Sequence, residues 1–354
     1  MQVGLVTGQG EISLVDMPYP QPEIGKAVVE ISYCGICGTD LHAYQSGQPY
    51  NPAICGHEWV GHVSALGPEV SNCKEGDRVA IGVASACGRC PTCQRGDAAH
   101  CESAFAGAIG MGPMAAPHGG FAEAISFDAS RLYLVPGALT DEQAGLLEPA
   151  TVAVHALRRT PINLGDSVVV LGAGPIGLLV LQAARLSGAG QIILVEPEPA
   201  RRKLGEQMGA DYCIDPTDGS VLERVGDYLS THGSAGITNP DIVFECAGIP
   251  ATIQQSVELV RRGGVVSLVG VANHPASIDP GLWMVKEVRL VSSIAYQHED
   301  FEICKYLAAD GRLDLASLHT STVTLNNLNE AFATLSHQPS EVKILVDPRE
   351  NHSS

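Results

Sequence analysis

Aromatic side chains and positive charge are scarce in this sequence. Phe, Trp and Tyr make up 5% of the 354 residues, and 21 Lys and Arg stand against 39 Asp and Glu, for a formal net charge of −18. Nucleic acids and anionic membrane surfaces are bound through clustered basic groups, and single strands also through aromatic stacking. The composition therefore argues against both kinds of partner.

Long apolar runs are also lacking. No uninterrupted stretch approaches the roughly eighteen apolar residues of a membrane-spanning helix. The first residues, MQVGLVTGQGEISLV, have neither the basic start nor the apolar core of a signal peptide. We therefore expect a cytoplasmic protein without a membrane span. Hydrophobic residues at 45% and charged residues at 17% predict a globular chain, and its length is enough for two domains.

Eleven cysteines in a reducing compartment are more typical of thiols or metal ligands than of disulfides. Four of them lie in CGRCPTCQRGDAAHC, residues 87–101, with the spacing C-x2-C-x2-C-x7-C: Cys87, Cys90, Cys93 and Cys101. Four thiolates on a short loop fit a closed, tetrahedral structural zinc site. Iron–sulfur clusters also use four cysteines, so the spacing alone leaves the metal open.

The order of predicted elements divides the chain. The first part is rich in short β-branched runs, such as KAVVEISYCG, EWVGHVSALG and DRVAIGV. From about residue 150, strands alternate with helices, which is typical of a parallel, doubly wound sheet. The tail, from about Leu290, mixes strand, helix and a closing strand, EVKILVDP, and its last residues, ENHSS, are expected to fray.

A glycine-rich turn predicts dinucleotide binding. VVVLGAGPIGLL contains G-x-G-x-x-G at Gly172, Gly174 and Gly177, between an apolar strand and an apolar helix. The three glycines would permit a tight turn, close approach of the backbone to a pyrophosphate, and close helix packing. The helix N-terminus would face the phosphates. We expect this turn, including Pro175 and Ile176, to bind the cofactor.

The next strand ends at Glu196, nineteen residues after Gly177. An acidic side chain there can accept hydrogen bonds from the adenosine ribose and repel a 2′-phosphate, so it predicts NAD rather than NADP. Arg201 and Arg202 complicate this prediction, because an arginine can receive the phosphate or can simply lie on a solvated helix face. We include Arg201 among the expected cofactor contacts.

A second set of metal-binding residue types lies upstream. Cys37, His57 and Glu58 fall in CGICGTDLH and CGHEWVGH, and Glu148 follows in LLEPATVAVHA. A zinc with three protein ligands and one open position can bind an alcohol oxygen and act as a Lewis acid.

Thr39 and His42, two and five residues after Cys37, are spaced for a relay that carries the alcohol proton from a hydroxyl to an imidazole. As an alternative to a zinc site, Cys34 and Cys37 form a C-x-x-C that could be a redox pair.

These motifs together resemble the zinc-dependent medium-chain dehydrogenase/reductase family over almost the whole chain. They are CGICGTDLH, GHEWVGHV, GDRVA, the four-cysteine stretch, GGFAEA, LLEPA, LGAGPIG and EVKILVDP. The resemblance implies a GroES-like catalytic domain, residues 1–149 and 290–354, with a structural zinc lobe at 87–101. It also implies a Rossmann NAD domain, residues 150–289, and an active site in the cleft.

The resemblance further implies that Cys37 and His57 bind the catalytic zinc. The E-P of LLEPA is typical of the family branch that contains sorbitol, butanediol, glucose and threonine dehydrogenases. The resemblance to this branch implies that either Glu58 or Glu148 binds the metal and that the two can exchange as ligands. By the same resemblance Thr39 relays the proton with His42 next in line, and Asp40 holds His57 or the loop.

The expected protein is a zinc- and NAD-dependent alcohol dehydrogenase with two zinc ions, acting on CH–OH groups, as a homodimer or homotetramer. The apolar stretch ESAFAGAIGMGPMAAPH, together with Trp59, favours a hydrophobic or cyclic secondary alcohol over a polyol, unless these residues are core. The alternatives are a zinc-free quinone or enoyl reductase on the same scaffold and a non-enzymatic dinucleotide-binding protein. A zinc-finger-like binding module is disfavoured by the acidity and the dinucleotide motif.

Overall fold

The computed structural model describes residues 1–48, 50–112, 115–233, 236–337 and 340–349. The end that was expected to fray, residues 350–354, lies outside this description. The chain divides into two compact units. The first unit comprises Met1–Glu148, Gln297–Ala309 and the chain from Leu318 onward, and the second unit comprises Pro149–Tyr296 and Asp310–Ser317.

The first unit is rich in strands, as the first part of the sequence predicts, and its pairs are antiparallel except for the last two strands of the chain, which pair in parallel. A hairpin, β1–β2, accompanies a sheet with the order β14-β15-β3-β4-β5-β7, in which β6 also pairs with β3. The strands are β1 (Gln2–Gly8), β2 (Glu11–Asp16), β3 (Lys26–Gly35), β4 (Glu58–Leu66), β5 (Arg78–Ile81), β6 (Ala124–Asp128), β7 (Leu132–Leu134), β14 (His319–Thr324) and β15 (Lys343–Asp347). The helices are α1 (Gly38–Ser46), α2 (Pro91–Gln94), α3 (Glu102–Ala108), α4 (Asp141–Ala144), α11 (His298–Ala309) and α12 (Leu328–His337).

The second unit contains the doubly wound parallel sheet that the sequence predicts. All its strands are parallel, in the order β10-β9-β8-β11-β12-β13. They are β8 (Ser167–Leu171), β9 (Gln191–Val195), β10 (Tyr212–Ile214), β11 (Ile242–Glu245), β12 (Val265–Leu268) and β13 (Arg289–Ser292). The helices are α6 (Pro175–Leu186), α7 (Pro199–Gln207), α8 (Val221–His232), α9 (Pro250–Leu259) and α10 (Pro280–Lys286), and α5 (Leu147–Arg159) leads into this unit.

The strand order reverses between β8 and β11. In open parallel sheets, ligands bind outside the carboxyl ends of the strands at such a reversal. Every residue of β8 is buried, as expected for a central strand covered on both faces. The glycine turn that follows β8 therefore lies where a dinucleotide is expected.

The boundaries between the two compact units differ from the predicted domain boundaries. The division into catalytic and NAD domains stays a prediction. The sequence assigned residues from 290 onward to the catalytic domain, whereas the second unit continues to Tyr296. The reason is β13, which pairs in parallel with β12 and so extends the second unit's sheet by one strand.

No helix within the described ranges is long and apolar enough to cross a membrane.

Candidate functional site

Two groups of metal-ligating side chains come together in the first unit. The ligand atoms of Cys37, His57 and Glu58 all lie within 4.8 Å of one another. The four cysteines of the 87–101 lobe form a second such group: Cys87, Cys90, Cys93 and Cys101. The sequence motifs predicted both groups as metal sites, with Glu148 as a further candidate in the first; the fold brings the side chains of each group together, and their metal binding stays a prediction.

The pairing of β3 with β4 assembles the first group. Cys37 follows the end of β3 and is the residue at the N-terminus of α1, while Glu58 is the first residue of β4 and pairs with Gly35. Gly35 leaves room for the Glu58 carboxylate, because a Cβ at position 35 would displace Oε2 of Glu58. His57 precedes β4 directly, so both ligand-bearing segments meet at one end of the ladder.

The hydrogen bonds of His57 define its tautomer. Its Nδ1 lies 2.8 Å from the carbonyl oxygen of Ile54. Since a carbonyl can only accept, Nδ1 carries a proton, so Nε2 is the nitrogen that would bind a metal once its own proton is released. Asp40 Oδ1 lies 3.8 Å from the same Nδ1.

Asp40 is fully buried and ties the two ligand segments together. Its Oδ2 accepts a hydrogen bond from the backbone N–H of Cys37 at 3.1 Å, and its Oδ1 accepts one from the N–H of Gly56 at 3.2 Å. The Tyr50 hydroxyl donates to Oδ1 at 2.6 Å. The predicted supporting role of Asp40 has a geometric basis in these bonds.

Lys343 is a member of this site that sequence reasoning missed. Its Nζ lies 2.6 Å from Glu58 Oε2 and 2.9 Å from the carbonyl oxygen of Ile36, and both charged side chains are 2% exposed. Burial lowers the pKa of Lys343, but the charges of Glu58 and Cys37 outweigh it and raise that pKa overall, so the amine stays protonated. A lysine inside the apolar strand EVKILVDP was the available signal, because buried lysines almost always have a charged partner.

The negative charge around His57 exceeds the positive charge. Burial lowers the pKa of His57, but the charges of Cys37 and Asp40 outweigh it, and the pKa is raised well above its ordinary value. Glu148 contributes in the same direction although it lies outside the 4.8 Å group. A negatively charged site that contains a cysteine, a histidine and a glutamate offers residue types that bind Zn²⁺.

The predicted relay residues lie on α1. Thr39 is exposed and His42 is half-buried, three positions further along the same helix. Residues three apart lie on the same face of a helix. Burial lowers the pKa of His42, which favours the neutral imidazole.

The geometry of the four-cysteine lobe fits a single metal ion. Cys90 Sγ and Cys101 Sγ are 3.9 Å apart, and four sulfurs at about 2.3 Å from a tetrahedral zinc would be separated by about 3.8 Å. A four-iron cluster needs wider spacing, because each cysteine binds a different iron. Among the described residues, which include all eleven cysteines, no disulfide is formed.

Backbone N–H groups point at the sulfurs of this lobe. Cys101 Sγ accepts from the N–H of Cys87 at 3.3 Å and of Ala104 at 3.4 Å, and Cys87 Sγ accepts from the N–H of Cys90 at 3.4 Å. The Ser103 hydroxyl and backbone N–H groups lower the pKa of Cys87 to about 6. Such bonds stabilise the thiolate, which is the form that binds metal.

In the second unit, the three glycines of the turn have separate roles. Gly172 has a positive φ of 95°, and a Cβ on Gly177 would collide with the carbonyl oxygen of Gly172. Gly174 is the N-cap of α6, with Pro175 at the first helical position, and nothing lies within 4 Å of where its Cβ would be. The backbone at Gly174 is therefore open to a phosphate at the helix N-terminus.

Glu196 follows β9 and is held firmly. Its Oε2 accepts a hydrogen bond from the N–H of Ala173 at 2.6 Å, and its Oε1 accepts one from the N–H of Glu198 at 3.0 Å. Its side chain is buried, so it presents a fixed negative charge directly beside the glycine turn.

The structure distinguishes the two arginines. Arg202 forms an ion pair with Asp215 at 2.9 Å and donates to the backbone carbonyls of Glu196 and Pro197. It is therefore committed to holding this loop. Arg201 is half-buried, and the charges of Glu196 and Glu198 act on it, so its predicted contact with the cofactor stays a prediction.

Trp59 lies in the core, which is the alternative to a lining role that the sequence left open. It is 1% exposed and packs edge-on against Phe127 at 5.1 Å in the core of the first unit. Successive side chains of a strand point to opposite faces, so Glu58 faces the metal ligands and Trp59 faces away. In the apolar stretch, Phe105 and Met111 are exposed, while residues 113 and 114 lie outside the described ranges.

Comparisons with known proteins agree with this arrangement. The alcohol dehydrogenase GroES-like domain matches residues 23–137, and the zinc-binding dehydrogenase family matches residues 175–308. Sorbitol dehydrogenase of Bacillus subtilis (strain 168) is 30% identical, over 98% of this chain and 97% of its own length. (R,R)-butanediol dehydrogenase of the same organism is 33% identical, over 96% and 97%. A zinc-binding dehydrogenase of Sinorhizobium meliloti 1021, solved with NADP, superposes with a TM-score of 0.83 at 30% identity, covering 98% of this chain and 99% of that one.

Proposed function

The chain belongs to the zinc-dependent medium-chain dehydrogenase family, and from this premise we propose that it transfers hydride reversibly between a secondary alcohol and NAD at a zinc held by Cys37, His57 and Glu58. It is an oxidoreductase acting on CH–OH groups, with zinc and a nicotinamide cofactor. The observation that carries the proposal is the convergence of these three ligand atoms within 4.8 Å.

Glu58 is the proposed third ligand, since its carboxylate belongs to that group and Glu148 does not. Lys343 holds Oε2 of Glu58, which leaves Oε1 for the metal. Glu148 is close enough for its charge to act on His57, and it is the proposed exchange partner. The zinc would polarise the alcohol oxygen and make its proton more acidic.

Thr39 and His42 are the proposed path for that proton. The Thr39 hydroxyl can accept it and pass its own onward, and His42, neutral because burial lowers its pKa, can accept it in turn. The spacing of three residues on α1, which puts both side chains on one face of the helix, supports a path between them.

The four-cysteine lobe is the proposed site of a second, structural zinc. All four positions around a tetrahedral ion would be occupied by sulfur, so no position is left for substrate. This zinc would hold the loop of residues 87–101 in place of a hydrophobic core.

NAD is the proposed cofactor and accepts the hydride. The backbone of residues 172–177 would bind the pyrophosphate, and the fixed carboxylate of Glu196 would favour a free ribose over a 2′-phosphate. A relative was solved with NADP, so the family scaffold also accepts the phosphorylated cofactor. We therefore propose that the preference for NAD over NADP depends on two opposing charges near the ribose, the carboxylate of Glu196 and the guanidinium of Arg201.

A secondary alcohol carbon is the proposed reacting centre. The names of the two Bacillus relatives support a polyol or a vicinal diol, and the exposed apolar side chains of Phe105 and Met111 support a more hydrophobic or cyclic alcohol. The first unit is the proposed catalytic domain and the second the proposed NAD domain.

A homodimer or homotetramer is the proposed assembly. Strand β13 is at the edge of its sheet, and Leu290 and the nearby Ile294 are 46% and 66% exposed. An exposed, apolar sheet edge can pair with another chain, which supports a second copy there. The cytoplasmic location stays a prediction.

Replacing Cys37 by Ser tests the proposed catalytic zinc. The substitution removes a thiolate ligand, so alcohol oxidation should be lost while NAD binding to the second unit, measured by calorimetry, should remain. Cys73→Ser is the matched control, because Cys73 is a half-buried thiol outside both metal groups. Full turnover in the Cys37 variant would refute the zinc assignment.

A further inference from the structure

The hydroxyl of Tyr50 contacts two oxygens that also lie near Nδ1 of His57, one from the Asp40 carboxylate and one from the Ile54 carbonyl. It donates to Asp40 Oδ1 at 2.6 Å and lies 3.4 Å from the carbonyl oxygen of Ile54. The same two oxygens are the acceptors nearest His57 Nδ1, at 3.8 Å and 2.8 Å. One phenol therefore constrains both groups that orient the imidazole.

Asp40 extends the influence of Tyr50 to the other ligand segment. The same carboxylate accepts the N–H of Cys37 and the N–H of Gly56, so its orientation sets the backbone at a proposed ligand and just before another. Without the phenol, Oδ1 would keep only the longer bond from Gly56. The carboxylate would then be held by two backbone bonds instead of three contacts, and the common anchor of both segments would be weaker.

We propose that Tyr50 is a positioning residue for the catalytic metal, acting through Asp40 and the Ile54 carbonyl on Cys37 and His57. This inference rests on the proposed function, since it assumes that Cys37 and His57 hold zinc. Partners outside the ligand sphere typically contribute 10–100-fold in metal affinity or activity. Tyr50 lies outside the ligand motifs, in the stretch SGQPYNPAICGHE, so no motif marks it.

The contributions of the Tyr50 ring and of its hydroxyl can be tested separately. The ring is partly buried against the core of the first unit, so Tyr50→Phe keeps the packing and removes only the hydroxyl. Tyr19→Phe is the matched control. Its hydroxyl also donates to a carboxylate, Glu30 at 3.2 Å, but on the exposed surface of the same unit.

The readout is the rate of zinc release from the purified, zinc-loaded protein to 4-(2-pyridylazo)resorcinol, a chelator that absorbs on binding the metal. The phase that belongs to the proposed catalytic site is identified by its absence in Cys37→Ser. We expect this phase to be about tenfold faster in Tyr50→Phe than in the parent protein. The phase of the four-cysteine lobe and the melting temperature should match those of Tyr19→Phe.

Two results would overturn the inference. One is a release rate in Tyr50→Phe equal to that of Tyr19→Phe. The other is an acceleration of both zinc phases with a lowered melting temperature, which would mean general destabilisation. A parent protein with no Cys37-dependent zinc would instead contradict the proposed function, so the two failures are distinguishable.

Discussion

The buried ion pair between Lys343 and Glu58 makes a strong and specific prediction. In Lys343→Met the side-chain volume is nearly kept, but the Glu58 carboxylate, 2% exposed, loses its partner at 2.6 Å. Removing one partner of a buried ion pair costs about 3–5 kcal/mol. For a unit of this size that corresponds to a fall in melting temperature of roughly 6–20 °C.

The loss of stability in Lys343→Met should depend on whether zinc is bound. In the zinc-loaded protein the ion also neutralises Glu58, so the fall in melting temperature should be smaller than in metal-stripped protein. The shift in melting temperature on adding zinc should therefore be larger in Lys343→Met than in the parent, measured by calorimetry of both forms.

Lys305→Met is the matched control for this experiment. Lys305 pairs with Glu302 at 2.8 Å on α11, but Glu302 is 48% exposed, so the loss should stay below about 1 kcal/mol. If Lys343→Met is no more destabilising than Lys305→Met in metal-stripped protein, the reasoning from burial is refuted.

Three further predictions concern the metal ligands and the cofactor. Cys93→Ser should lower the zinc content from about two ions per chain to about one, by mass spectrometry, and an unchanged content would contradict a zinc lobe. Glu58→Gln should release catalytic zinc at least about tenfold faster than Glu148→Gln, and the reverse order would assign the third ligand to Glu148. Glu196→Ala should raise the KM for NAD about tenfold and narrow the gap to NADP, since bonds to charged groups are worth about 1.5–3 kcal/mol; an unchanged ratio would exclude Glu196 as the selector.

The sequence could predict which residues lie close together where they are near each other in the chain or lie on two directly paired strands. The four cysteines share fifteen positions, and the ladder of β3 with β4 brings Cys37 to His57. Motif spacing predicts such proximity because a short intervening segment can adopt few conformations.

Lys343 illustrates what the motifs could not predict. It lies 285 residues from Glu58, and the two meet only because β15 pairs with β3. Strand pairing over such a distance depends on the whole sheet. The same reason explains the domain boundary, since β13 joins the second unit through its pairing with β12.

For Trp59 the sequence left a lining role and a core position open, although strand geometry could have decided between them. The alternation of side chains along β4 follows from strand geometry, and Glu58 and Trp59 are neighbours. Once Glu58 is assigned to the metal group, Trp59 must face the core. In the apolar stretch that was expected to line the cleft, Phe105 and Met111 are the exposed side chains, and their contact with a substrate stays a proposal.

The most direct test of zinc- and NAD-dependent alcohol oxidation is NADH formation with a panel of alcohols, before and after metal removal. The panel contains simple secondary alcohols, vicinal diols, polyols, cyclic and terpenoid alcohols, and threonine. We predict turnover of at least one group that is lost with a chelator and restored by Zn²⁺. Turnover that resists the chelator would point to a zinc-free reductase, and no turnover in protein that binds both NAD and zinc would contradict the proposed activity.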